Sequence, residues 1–197
     1  DLEKIVDTND EWITTRTGIK ERRILDKGIG TSHMAIQAAN TIIKKKKLDP
    51  TEIDLVVVAT ITPDMHATAT AAYVASEIGA SNAFGFDISA ACSGFLYGLS
   101  TASAFIESGR YKKIILIGAD KMSSIVDYSD RNTCIIFGDG AGAVLLEPNI
   151  EGYGVKDEYL RSNGSNRDLL RIEAGGSQTP TTKNTVKEKK HFIYQDG

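Results

Sequence analysis

A nearly continuous apolar run, rich in β-branched residues, limits what this 197-residue chain can fold into. Residues 54–61 read Asp-Leu-Val-Val-Val-Ala-Thr-Ile and lack the apolar–polar alternation of a strand that faces water on one side. Such a run is typical of a strand buried on both faces of a parallel sheet. We therefore expect residues 54–61 to form a central strand.

The segments that follow alternate between strand and helix patterns. Short apolar strands are predicted at residues 84–88 and 113–118, and helices at about 69–79 and from Phe95 to the stop at Gly109. This alternation places helices over a largely parallel sheet, because parallel neighbours need a crossover connection. The prediction is an α/β fold with α/β/α layers.

Composition and charge exclude several classes of protein. The chain is 41% hydrophobic and 25% charged, as in an ordinary globular protein with a sizeable core. A net charge of -3 disfavours nucleic acid and anionic membrane as partners. Two cysteines without a CxxC motif or a Cys/His cluster predict neither a disulfide framework nor a metal site. With no span-length apolar run and no signal-peptide pattern, we expect a cytoplasmic protein.

Cys92 is the first candidate site residue because it falls at a strand-to-helix junction. Small residues at 89–91 and 93–94 let the backbone turn sharply and leave room for a substrate. A helix N-terminus favours the thiolate, and its N–H groups can hold a developing oxyanion. A buried structural cysteine fits the same spacing, and on spacing alone it is the favoured interpretation.

A second candidate site lies near the start of the chain. Thr8 and Glu11 have the spacing of a capping box, which predicts a short helix. Trp12 and Arg16, four residues apart, would share one face of that helix. An aromatic ring beside a guanidinium suits an adenine and a phosphate. A tryptophan in an amphipathic helix is more often part of the core, so the residues alone leave both interpretations open.

Three segments resemble the β-ketoacyl-acyl-carrier-protein synthase III family, thiolase-superfamily condensing enzymes that begin fatty-acid chains. They occur in the family's order and read DTNDEWITTRTGIKER at 7–22, DISAACSGFLYGL at 87–99 and DRNTCIIFGDGAGAVLLEP at 130–148. The resemblance implies a mixed, largely parallel five-stranded sheet, one half of the duplicated thiolase fold, with its first strand missing. It also implies that residues 1–150 are the half carrying the nucleophile and that 151–197 lead toward an absent C-terminal half, so we expect a fragment.

The resemblance implies a role for each candidate residue. Cys92 would be the catalytic nucleophile, and Phe137 would line the acyl pocket. Coenzyme A would be bound by Thr8, Trp12, Arg16, Thr17 and Arg131, the last stacking on the adenine opposite the tryptophan. The loop at 65–68 would cross a homodimer interface. In the family an aromatic residue in this loop usually closes the acyl pocket of the neighbouring subunit. This chain has Ala67 at the matching position, so we hypothesise a pocket that admits a longer or branched acyl group.

The implied reaction is a decarboxylative Claisen condensation. The acyl group of an acyl-CoA, expected to be acetyl-CoA, passes to Cys92, and the carbanion of malonyl-acyl-carrier protein then attacks the acyl-enzyme. Coenzyme A enters as a thioester substrate, and no metal or other cofactor is expected. The catalytic His and Asn of the family would lie beyond residue 197, so we expect this chain alone to be acylated at most.

Two alternatives remain open at this point. A polyketide- or alkylquinolone-type starter enzyme would share Cys92 and differ in primer and acceptor. A non-catalytic acyl-binding or dimerising half would keep the fold without the chemistry. A dinucleotide-binding interpretation of residues 138–142 is disfavoured, because the glycine spacing is wrong and a strand pattern follows. Cys134, in an apolar run, is predicted to be a core residue.

Overall fold

The computed structural model describes residues 1–196. Their contacts group into two compact units, each of which is described by itself. The sheet unit comprises residues 26–120 and 140–160, and the second unit comprises residues 1–25, 121–139 and those from Arg161 onward. The boundary expected at residue 150 stays a prediction.

The sheet unit is built around a buried central strand. Its four strands are β1 (Leu55–Ala59), β2 (Phe84–Ile88), β3 (Ile114–Lys121) and β4 (Asp139–Leu146), in the order β2-β1-β3-β4. β1 pairs in parallel on both sides, with Val57 opposite Phe86 in β2 and Leu116 in β3. All five residues of β1 are buried. The predicted central strand is therefore confirmed.

Helices lie on both faces of this sheet. Within residues 1–196, the sheet unit contains the helices α2 (Thr31–Lys46), α3 (Thr70–Glu77) and α4 (Gly94–Glu107), and the second unit contains α1 (Asp10–Thr17), α5 (Arg131–Cys134) and α6 (Lys183–Lys187). Val56 and Val58 pack in one core cluster with α2 and α3, whereas Leu55 and Val57 pack in another with Ala102 of α4. Because side chains alternate along a strand, one buried strand supplies both cores. The layered α/β/α prediction is confirmed.

The second unit contains a small sheet and several short elements. Its strands β5 (Leu170–Ile172) and β6 (Ile193–Gln195) are antiparallel. The Ile193 N–H donates to the Ile125 carbonyl at 2.7 Å, and Lys189 forms an ion pair with Asp127 at 2.7 Å. Burial raises the pKa of Asp127, but hydrogen bonds from Lys189 and Ser129 outweigh it and hold that pKa below its usual value.

The start of α1 differs from the sequence prediction. The N-cap is Asn9, whose side-chain oxygen accepts from the Trp12 N–H at 2.7 Å, and not Thr8. Both residue types are favoured caps, and here the asparagine reaches the free N–H group. The helix ends at Gly18, which has a φ of 72°. Among residues 1–196, no helix is both long and apolar enough to span a bilayer.

Helix α3 packs unusually close to β2 because Gly85 has no side chain. A Cβ at this position would lie 2.9 Å from the carbonyl carbon of Ala71 and 3.0 Å from its oxygen. These are backbone atoms at the start of α3, so no side-chain rotation can relieve the contact. The first turn of α3 is therefore held directly against the strand that leads to Cys92.

We predict that Gly85→Ala destabilises the full-length protein that contains this chain. The added methyl would push α3 from the sheet and lower the free energy of unfolding by about 1–3 kcal/mol. Gly164→Ala is the control, because a methyl there would meet no heavy atom within 4 Å. Urea unfolding of both variants measures the difference, and equal stabilities would contradict the close packing.

Candidate active site

Cys92 lies in a short turn between β2 and α4. The strand ends at Ile88, a single 3-10 turn covers Ala91–Ser93, and α4 begins at Gly94. The cysteine is exposed. This placement at the strand-to-helix junction confirms the predicted local structure, and the catalytic role of Cys92 remains a proposal.

The turn holds its backbone in a disfavoured conformation. Ala91, directly before Cys92, has a φ of 47°, and Ala90 has φ and ψ of -144° and 28°. A left-handed φ at a residue with a Cβ costs about 1–2 kcal/mol. Strain of this kind persists where surrounding structure imposes it, and it clusters at functional sites. The run of small residues at 89–94 did not predict the left-handed φ of Ala91.

Close packing of α4 against the sheet holds this turn in place. A Cβ at Gly94 would lie 3.3 Å from the Cβ of Ala59, the last residue of β1. A Cβ at Gly98, one helical turn later, would lie 2.6 Å from the Cδ1 of Leu116. Gly94 thus lets the first turn of α4 approach the carboxyl end of β1, and Gly98 lets the next turn approach β3. Cys92 is thus attached to two rigid elements, β2 and α4.

The second cysteine has a different environment. Cys134 is fully buried at the end of α5. Burial raises the pKa of its thiol, and the carboxylate of Asp130 raises it further. The thiolate is therefore disfavoured at Cys134. The full burial of this residue confirms its assignment to the core.

Three predicted coenzyme A residues meet in the second unit. The guanidinium carbon of Arg16 lies 4.8 Å from the centroid of the Trp12 ring, and that of Arg131 lies 4.9 Å from it. Arg131 also donates to the Asp7 carbonyl at 3.0 Å. Trp12 is half-buried and both arginines are exposed. Helices α1 and α5 thus build a cluster of one indole and two cations.

This cluster has the groups needed to bind a flat base and its phosphates. The predicted arrangement, with the base stacked between Trp12 and Arg131, requires a side chain to move. A base between Trp12 and Arg131 needs two stacking distances of about 3.5 Å each. Arg131 lies directly over the indole instead. Its side chain must therefore move before a base can stack between the two. Both guanidinium groups can contact phosphate oxygens from where they lie at the surface.

The two threonines predicted beside this cluster differ in their bonding. Thr17 uses its hydroxyl within α1, donating to the Ile13 carbonyl at 2.8 Å and accepting from the Ile19 N–H at 3.1 Å. The Thr8 hydroxyl is buried and has no hydrogen-bond partner within residues 1–196. Leaving such a group unpaired costs about 1–3 kcal/mol. Thr8 is therefore the threonine with a free donor.

The two predicted acyl-pocket residues lie in different units. Ala67 belongs to the sheet unit, in the exposed loop before α3, and has a φ of 72°. Phe137 belongs to the second unit and is half-buried after α5. Their shared role stays a prediction. Across the described part of the chain, no three or more His, Cys, Asp or Glu side chains group as metal ligands.

Comparison with known proteins adds independent information. A family profile described as 3-oxoacyl-[acyl-carrier-protein] synthase III matches residues 86–164. The whole chain is 58% identical to β-ketoacyl-[acyl-carrier-protein] synthase III of Chlorobaculum tepidum and 54% identical to synthase III 2 of Bacteroides thetaiotaomicron, covering 61% and 59% of their lengths. The crystal structure of the Aquifex aeolicus synthase III superposes with a TM-score of 0.80 at 44% identity, over 94% of this chain and 59% of that one.

These similarities, together with the layered sheet, define a thiolase-like fold. The chain belongs to the β-ketoacyl-acyl-carrier-protein synthase III family. It spans about 60% of the length of the curated relatives that it matches.

We predict that the two thiols differ sharply in reactivity in the full-length protein. Iodoacetamide should alkylate exposed Cys92 under native conditions at pH 8 and reach buried Cys134 only after unfolding. Peptide mass mapping after timed labelling measures both rates. Labelling of the two cysteines at equal rates in the folded protein would contradict the structure.

Proposed function

We propose that the full-length protein containing this chain is a β-ketoacyl-acyl-carrier-protein synthase III. It would start fatty-acid synthesis by condensing an acyl-CoA primer with malonyl-acyl-carrier protein. The observation that carries the proposal is an exposed cysteine in a strained turn between β2 and α4, in a chain of this family. Family membership also supports a homodimer and a cytoplasmic location as parts of the proposal.

In the first half-reaction, the Cys92 thiolate attacks the carbonyl carbon of the acyl-CoA thioester. The tetrahedral oxyanion is stabilised by backbone N–H groups in the turn at the start of α4. The intermediate collapses as the carbon–sulfur bond to coenzyme A breaks, and the released thiolate takes up a proton. The acyl group is then bonded to Cys92 as a thioester.

In the second half-reaction, malonyl-acyl-carrier protein loses its carboxylate as carbon dioxide. The resulting carbanion attacks the acyl carbonyl carbon, a carbon–carbon bond forms, and the bond to the Cys92 sulfur breaks. The products are a β-ketoacyl-carrier protein and the free thiolate. None of His33, His66 and His191 is assigned to this step, because none has the sequence context of the family's catalytic histidine.

Coenzyme A would bind at the cluster in the second unit. Trp12 offers a face for the adenine, Arg16 and Arg131 offer charges for the phosphates, and Thr8 and Thr17 would line the same approach. The acyl end would lie near Phe137 and, as the family resemblance implies, near Ala67 of the partner subunit. Acetyl-CoA is the expected primer, and the small side chain of Ala67 supports acceptance of longer or branched primers as well.

The proposal predicts that the full-length protein releases β-ketoacyl-carrier protein from acetyl-CoA and malonyl-acyl-carrier protein. Cys92→Ala should lower the rate at least about 1000-fold, since the covalent route is lost. Cys134→Ala, which removes the buried thiol, should remain active. Mass spectrometry of the carrier protein measures the product.

Undiminished turnover by Cys92→Ala would contradict the proposal. Product formed only with a different acceptor would assign the protein to the polyketide- or alkylquinolone-type starter enzymes instead. Binding of acyl-CoA without turnover under any condition would support a non-catalytic acyl-binding role.

A second prediction concerns coenzyme A affinity. Arg131→Ala should weaken binding about 10-fold, because one cation beside the indole and the phosphates is lost. Arg171→Ala is a matched control, since Arg171 stacks on Tyr194 at 4.6 Å and is not assigned to the ligand. Isothermal titration calorimetry with coenzyme A measures both. Equal affinity of wild type and Arg131→Ala would remove Arg131 from the site.

A further inference from the structure

The loop that carries Ala67 is anchored at its start by a half-buried carboxylate. Asp120, near the end of β3, accepts three hydrogen bonds through Oδ1. The donors are the Thr60 hydroxyl at 3.0 Å, the Ile61 N–H at 2.8 Å and the Thr62 hydroxyl at 3.0 Å. The chain leaving β1 is therefore tied to the neighbouring strand.

A second carboxylate anchors the same loop four residues after Thr60. Asp64 accepts from the Ser32 N–H at 2.9 Å and from the Ser32 hydroxyl at 2.5 Å, at the first turn of α2. A Cβ at Gly30 would lie 2.4 Å from Asp64 Oδ1, so a larger residue there would displace the Asp64 carboxylate. The N-cap residue of α2 makes no side-chain cap of its own, and Asp64 fills that role.

The third anchor, Asp87, joins the loop to the strand that leads to Cys92. Its Oδ2 accepts from the Thr70 N–H at 2.7 Å and its Oδ1 from the Ala71 N–H at 2.8 Å. These are the first two residues of α3, whose own N-cap residue Ala69 has no side-chain cap. A carboxylate at a helix N-terminus makes short, charge-assisted bonds and complements the helix dipole.

Between these anchors the loop is exposed and locally strained. Residues 64–68 are all exposed, and Ala67 has a φ of 72°. A left-handed φ at alanine persists only where the surroundings impose it. Asp87 lies one residue before Ile88, where β2 ends and the Cys92 turn begins, and the Ile88 carbonyl accepts from the Thr60 N–H at 3.1 Å.

We propose that Asp87 is a positioning residue for acyl-chain selectivity. Its carboxylate fixes the start of α3, and with it the loop carrying Ala67, on β2. In the proposed homodimer, this loop presents Ala67 to the acyl pocket of the neighbouring subunit. The inference rests on the proposed function, because that function places the acyl group near Ala67. Asp87 touches neither substrate nor thiol in this scheme, and it acts through the loop.

The test compares acylation of Cys92 in the full-length protein by acetyl-CoA and hexanoyl-CoA. Asp87→Asn keeps the size of the side chain but loses its charge, and its amide NH₂ would face a helix N–H donor. In this variant the ratio of the acetyl-CoA rate to the hexanoyl-CoA rate should change by about 5-fold or more, in the direction of equal rates. A loosened loop would discriminate less between the two chain lengths. Alkylation of Cys92 by iodoacetamide should stay within about twofold, because the turn itself is retained.

Asp54→Asn is the matched control. Asp54 also accepts two backbone N–H groups, from Lys112 at 2.7 Å and Lys113 at 2.9 Å, but just before β1 and β3 begin, at the opposite end of the sheet. It should destabilise the protein similarly and leave the selectivity ratio unchanged. An equal change in Asp54→Asn would show general loosening and overturn the proposal.

A second variant tests the proposal if Asp87→Asn does not fold. Thr70→Pro removes one N–H donor to Asp87 and suits the first position of a helix. It should shift the ratio in the same direction. Two outcomes would overturn the role of Asp87 and leave the proposed function standing. One is unchanged selectivity in the folded variants, and the other is a wild type that is acylated at the same rate by both chain lengths. A wild type that is never acylated on Cys92 would overturn the proposed function, and this inference with it.

Discussion

Burial of β1 on both faces and pairing on both edges is the constraint on which the sheet unit depends. Two parallel neighbours require crossover connections, and two apolar faces require helices on each side. Parallel pairing also brings the strand ends together, with Ala59 opposite Ile88. The loop after β1 and the Cys92 turn after β2 therefore begin at the same edge of the sheet.

Aspartate carboxylates organise that edge. Asp64, Asp87 and Asp120 together accept hydrogen bonds from the first turns of two helices and from the segment that leaves β1. These N–H groups have no partner within their own helix or strand, and leaving them unpaired inside the protein would be costly. The same bonds that satisfy the backbone fix the loop and the nucleophile turn relative to each other. Stability and site geometry thus share the same interactions.

Much of the fold followed from sequence patterns, because burial and periodicity act locally. β1 and the helix predicted at 69–79, observed as Thr70–Glu77, are examples. The cap of α1 was misassigned by one residue, since Thr8 and Asn9 are both good caps and only tertiary structure selects between them. The left-handed φ of Ala91 had no sequence signal, because alanine ordinarily adopts a negative φ.

The site was less accessible to pattern reasoning than the fold. Spacing alone favoured a structural Cys92, and the family resemblance was needed to indicate a nucleophile. The resemblance also assigned Trp12 and Arg131, which are far apart in sequence, to one site. It did not predict that the two side chains contact each other directly. The bonds from Asp87 to α3 join residues of different elements and leave no periodic trace.

The central claim is that Cys92 is the residue that carries the acyl group. The most direct measurement is the intact mass of the full-length protein after incubation with acetyl-CoA alone, followed by mapping of the modified peptide. The account predicts one acetyl group per chain, on the peptide containing Cys92, removed by hydroxylamine as a thioester would be. A folded protein that gains no mass from any acyl-CoA, or that is acylated elsewhere, would contradict it.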